Sequence, residues 1–162
     1  MNLNNFIFNY KILENNFIFN YKILNIKLNK YTNLMGNKIS TISLNLYNFE
    51  KVQNAIKNND IIINTLSENK QDCLITGTTN IKDEVTILNE CLKNKKDALI
   101  IVYGKNNNDN TVITKYNQLI GLGFNNVAIY LGGIFEWLLL QDIYGYDNFS
   151  TTSKQIDILK YR

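Results

Sequence analysis

The chain contains neither histidine nor proline among its 162 residues. Without histidine it lacks the commonest general base, the commonest metal ligand and the one side chain that changes charge near neutral pH. The missing proline, usually about 5% of residues, accompanies an asparagine content of roughly 18% and abundant isoleucine and lysine. Such a bias reflects an AT-rich coding sequence more than a fold. Only two cysteines occur, Cys73 and Cys91, too few and too far apart for a metal-site spacing. Cys91 falls in the apolar row Val85, Leu88, Cys91, Leu92 of an expected helix, which assigns it to packing, and Cys73 precedes a short apolar run. Nothing resembles a secretory signal, so free thiols in a reducing, cytoplasmic setting are expected. No apolar run approaches the roughly 18 residues that span a bilayer, and Trp137 to Leu140 is far too short. Neither a metal nor a cofactor is expected.

The length suits one domain with one core. Its formal charge of +3 is unevenly placed. Residues 1–34 carry Lys11, Lys22, Lys27 and Lys30 against Glu14, whereas the remainder balances 13 basic with 13 acidic residues. The globular part is therefore neutral, which argues against a nucleic-acid footprint.

The first 34 residues differ from the rest, because NNFIFNYKILE at Asn4 to Glu14 returns as NNFIFNYKILN at Asn15 to Asn25. Phe6, Tyr10, Leu13, Phe17, Tyr21 and Leu24 could line one helical stripe. Their β-propensity, with Glu14-Asn15-Asn16 as a turn, equally suits a hairpin, and a disordered or loosely docked extension is a third option. The next segment, Met35-Gly36-Asn37-Lys38-Ile39-Ser40, fits the N-myristoylation pattern if translation begins at Met35; otherwise it is a linker. Residues 35–146 form the expected domain and 147–162 a tail packing on it.

From Ile39 onward strands and helices alternate. Strands are expected at Ser40 to Leu44, Asp60 to Leu66, Leu74 to Thr76, Ala98 to Tyr103 and Asn126 to Tyr130. Helices are expected at Asn48 to Asn58, Lys82 to Asn94, Val112 to Leu122, with Val112, Tyr116, Leu119 and Ile120 inward, and Ile134 to Tyr144. This order implies an α/β fold with a mostly parallel central sheet of about five strands and helices on both faces.

Three segments resemble those of a single rhodanese-like domain. Ile61 to Ser67, IIINTLS, stands where that family shows an I-D-x-R strand end, and Gly77 to Ile81, GTTNI, resembles the tail of its G-H-I-P-G-A-x-N-I segment. Gly123-Phe124-Asn125-Asn126-Val127 followed by Gly132-Gly133-Ile134-Phe135-Glu136-Trp137 is similar to its G-F-x-N-V and GG-x-x-x-W pair. The resemblance covers about residues 39–144 and implies the rhodanese-like fold. It also places the family's nucleophilic cysteine at Gly104.

The departures fall on functional positions. Asn64 and Leu66 replace the family's Asp and Arg, and its usual loop glycine and arginine give way to Lys105, Asn106, Asn107, Asn108 and Asp109. A glycine can neither carry a persulfide nor attack phosphorus, so no catalytic residue is assigned and no enzymatic activity is expected. The loop of Gly104, Lys105, Asn106, Asn107, Asn108, Asp109, Asn110 and Thr111 keeps backbone N–H groups before a helix, which suits a small anion, although Asp109 opposes one. Alternatively Asp109, Asn110 or Thr111 simply caps that helix. The expected role is a catalytically inactive module binding a protein or small anion. Alternatives are a sulfurtransferase or related phosphatase with a non-standard site, Cys73 being the one thiol to consider, and an acylated adaptor reaching the membrane through Gly36. On the adaptor reading, N-terminal mass spectrometry of the native protein finds a peptide beginning at myristoylated Gly36; a native amino terminus at Met1 alone removes it.

Overall fold

The computed structural model describes residues 44–162. The tandem repeat, Gly36 and nearly all of the strand expected at 40–44 lie outside the described residues. Leu46–Tyr47 forms the short strand β1. Helix α1, Phe49–Asn58, starts where the Asn48 side chain accepts the Lys51 N–H at 3.1 Å and ends at Asn59, whose φ of 56° is left-handed. Then come β2 (Ile61–Asn64), a 3₁₀ turn at Glu68–Lys70, α2 (Glu84–Asn94), β3 (Ile100–Tyr103) and α3 (Thr111–Leu122). The chain continues through β4 (Val127–Tyr130) and α4 (Gly133–Tyr144) to a final 3₁₀ turn at Ile158–Tyr161.

The strands lie in the order β1-β4-β3-β2, and every pairing between them is parallel. Among the described residues four strands form the sheet, where the sequence suggests about five. The segment expected as a strand at 74–76 makes only isolated bridges, Ile75 with Thr151 and, just beyond it, Thr78 with Ile62. Its N–H groups have gone elsewhere: Leu74 donates to the Thr152 hydroxyl, Ile75 to the Tyr103 hydroxyl and Thr76 to the Ser150 carbonyl. A strand whose donors serve side chains and a distant tail cannot extend a ladder.

The apolar runs of β3 and β4 are buried throughout because both faces of the sheet are covered. Ile62, Ile101, Tyr103, Ala128 and Tyr130 face Val52 and Ala55 of α1, Ile134, Trp137 and Leu138 of α4, and Phe149 and Tyr161 of the tail. Ile63, Ile100, Val102, Val127 and Ile129 face Leu88 of α2 and Val112, Tyr116 and Leu119 of α3. Val85 and Ile120, expected inward, are 50% and 43% exposed. Each stands at the margin of its helix's apolar stripe, and the sheet covers less of the helix than the stripe spans.

Trp137 is fully buried. Its ring meets Tyr130 and Phe149 edge to face, with centroids 6.2 and 5.0 Å away, and its indole N–H donates to the Ser150 carbonyl at 3.1 Å. The two glycines before it answer a steric demand. Gly133 has φ +62°, and a Cβ there would stand 2.5 Å from the Gly104 carbonyl oxygen and 2.6 Å from that of Lys105. Gly132 lies beneath the Glu136 side chain. Gly145 also has positive φ, +89°, but has open space around it. Its ψ of 157° puts it in an extended region that glycine almost alone adopts, so Gly145→Ala is expected to cost about 1–3 kcal/mol from backbone strain alone. Gly133→Ala adds a clash with two hydrogen-bonded carbonyls and is expected to cost clearly more; urea denaturation of the two variants measures the difference.

Candidate functional site

All four strands run the same way, so their C-terminal ends meet at one edge, where Tyr47, Tyr130, Tyr103 and Asn64 lie in register across the sheet. In parallel open sheets this is the edge that receives ligands. The 104–111 loop leaves it from β3 and leads into α3. Gly104, Lys105, Asp109 and Thr111 converge there, whereas Asn107, Asn108 and Asn110 are exposed to solvent. Asn106 braces the loop from within: its Oδ1 accepts the Asn108 N–H at 2.9 Å, while its Nδ2 donates to the Tyr161 carbonyl at 3.0 Å.

The centre of the loop is the Asp109 carboxylate. Oδ2 accepts the Lys105 N–H at 2.9 Å, and Oδ1 accepts the Thr111 N–H at 3.1 Å together with the Thr111 hydroxyl at 2.5 Å. The Thr111 hydroxyl also lies 2.8 Å from that of Thr65, at the end of β2. Burial pushes the Asp109 carboxyl upward, but the two N–H groups, the hydroxyl and the charge of Lys105 outweigh it and hold the group below the usual carboxylate range. A Cβ at Gly104 would stand 2.5 Å from Asp109 Oδ2 and 2.6 Å from Val112 Cγ2. A cysteine there would require both the carboxylate and the Val112 side chain to shift.

The loop carbonyls are equally committed. Gly104 O accepts the Ile134 N–H at 3.0 Å and Lys105 O the Phe135 N–H at 2.9 Å, so the first turn of α4 donates to the loop. On the other side Asn64, buried, braces the turn after β2. Its Oδ1 accepts from the Leu66 N–H at 3.0 Å and from Gln71 Nε2 at 2.8 Å, and its Nδ2 donates to Gln71 Oε1 at 3.1 Å. An amide pair thus stands where the family resemblance leads one to look for a charged brace. Gln71, Thr65 and Tyr161 are site-bracing residues that carry no local sequence signal, since each reaches the site by tertiary contact.

Two further groups bear on chemistry. Cys73 is buried away from the loop and directs its thiol to the Ser153 carbonyl at 3.3 Å; burial pushes that thiol up, against the reactive thiolate. The Tyr130 hydroxyl is buried without a hydrogen-bond partner, and burial followed by the nearby Glu136 carboxylate drives its phenol far above the ordinary range. Among the described residues no group of acidic or cysteine side chains could hold a metal, and no helix is long and apolar enough to cross a membrane.

The Rhodanese-like domain profile matches residues 48–140, more than half of the chain. The chain belongs to the rhodanese-like domain family. Similar solved structures include a rhodanese-like domain from Anabaena sp, 24% identical over 50% of this chain and 92% of that one, with a TM-score of 0.39. They also include a Bacillus halodurans protein, 19% identical over 62% and 74% of the two chains, with a TM-score of 0.49. A search of curated proteins finds no match.

The depressed Asp109 carboxyl fixes the sign of a pH effect. Its stabilising contribution is complete above the unfolded carboxylate pKa of about 3.9 and is lost as pH falls through the lower folded value. The urea midpoint of the wild type is expected to exceed that of Asp109→Asn by a constant margin above about pH 5, and the margin closes in acid. A margin that widened on acidification would contradict this account of the loop.

Proposed function

We propose that this rhodanese-like domain is catalytically silent and acts by binding a protein partner. One observation carries the reading: the position that would bear a nucleophile is Gly104, and the Asp109 carboxylate takes up the space its side chain would need. The loss of sulfur and the gain of the carboxylate are sterically matched, which is what a site no longer held for attack looks like. The same carboxylate engages N–H groups at both ends of the loop, so a small free anion is the weaker of the two candidate ligands. Ile143 on α4 and Ile156 and Leu159 on the tail, 69%, 88% and 63% exposed, are the apolar side chains most open to a partner in this part of the chain. Against a relocated sulfurtransferase stand the burial and raised pKa of Cys73.

The decisive assay is sulfur transfer from thiosulfate to cyanide. Wild type, Gly104→Cys and Cys73→Ala are each expected to match the uncatalysed rate, the second because Asp109 obstructs the new side chain. Wild-type turnover that Cys73→Ala abolishes would replace this reading with the sulfurtransferase one. The binding arm compares affinity capture from the native source by wild type and by an Ile143→Asp, Leu159→Asp double variant. A partner retained by the first and released by the second is the expected outcome; capture that ignores both substitutions removes the α4 and tail surface as the contact.

A further inference from the structure

A carboxylate that merely capped α3 would accept an N–H at the start of the helix and leave its other oxygen to solvent. Asp109 accepts such an N–H, from Thr111, with Oδ1. Oδ2 turns back four residues to the Lys105 N–H, so a single side chain ties together donors at the two ends of the 104–111 loop. The same oxygen lies 2.5 Å from where a Cβ at position 104 would stand, and moving it away would cost its hydrogen bond from the Lys105 N–H. Glycine at 104 and the carboxylate at 109 therefore fit together, with the Val112 methyl 2.6 Å from the same Cβ position adding to the demand for glycine. Gly104 itself is buried, and its carbonyl and that of Lys105 are anchored to α4, so the backbone cannot yield instead.

From this geometry we infer that Asp109 is the resident anion of the loop, a self-contact that holds 104–111 closed without any external ligand and requires glycine at position 104. The inference concerns the loop's own stability and stands whether or not a partner binds α4 and the tail. It has two consequences. Removing the carboxylate exposes donors at both ends of the loop, which an external oxyanion then satisfies. Removing it also eases the demand for glycine at 104, leaving the Val112 methyl, 2.6 Å from the Cβ position, to limit a larger residue.

Backbone hydrogen exchange by NMR in the whole chain tests this, with inorganic phosphate as probe at constant ionic strength. In wild type the Lys105 and Thr111 amides are expected to be protected, and phosphate to leave that protection unchanged. In Asp109→Ala both amides are expected to exchange at least about tenfold faster, the effect of losing charge-assisted hydrogen bonds, and phosphate to restore part of the protection. Unaltered protection in Asp109→Ala, or phosphate protection as strong in wild type as in the variant, overturns the inference. Should Asp109→Ala fold poorly, the isosteric Asp109→Asn serves for the exchange measurement. A thermal-unfolding cycle supplies an independent readout: the loss of Tm caused by Gly104→Ala is expected to shrink in an Asp109→Gly background, and strictly additive losses refute the pairing. None of these readouts depends on sulfur-transfer activity, so failure here and failure of the silent-domain reading are separable.

Discussion

Where the first turn of α4 meets the loop after β3, two backbone carbonyls, Gly104 and Lys105, accept the N–H groups of Ile134 and Phe135. The rest of this side of the molecule is built on that contact. It brings carbonyl oxygens so close to residue 133 that only a glycine with positive φ is accommodated, and it sets the axis on which Trp137 enters the core one turn later. The indole then holds the tail through Ser150, and the tail returns to the loop through the bond between Asn106 and the Tyr161 carbonyl. Loop, helix and tail thus form a closed circuit of hydrogen bonds on one side of the sheet, with aromatic packing inside it.

The electrostatics of the loop depend on that circuit. A partly buried carboxylate is costly unless its oxygens are satisfied, and Asp109 is satisfied by donors whose positions the circuit has already set. With the backbone carbonyls held by α4, the Lys105 and Thr111 N–H groups face a negative group supplied by the chain itself. Occupation thus accompanies deletion: the space a side chain at 104 would need is taken by the Asp109 carboxylate and Val112.

The scaffold is legible in the sequence to different degrees. The runs at 61–64, 100–103 and 127–130 read as buried strands because helices cover both sheet faces, so no polar alternation interrupts them. The GG-x-x-x-W segment is readable because its glycines and tryptophan meet steric demands that few residues can meet. The segment at 74–76 misleads because its strand-like composition says nothing of donors consumed by Thr152, Tyr103 and Ser150, two of them far along the chain. At the site, the loop boundaries can be read directly from the ends of the flanking apolar patterns. That the Asp109 carboxylate turns back to Lys105, and that Asn64 pairs with Gln71, depend on rotamers and tertiary approach, which carry no periodicity.

The single tryptophan sits at the seam where β4, α4 and the tail join, walled by Tyr130 and Phe149 and bonded to a tail carbonyl. The chain therefore carries an optical probe at the one place where these elements must all be present together. Its indole emission reports the dryness of that seam rather than an average over the molecule. A tail that lifted away while the sheet stayed intact would show itself as a red-shifted spectrum before any loss of helical signal.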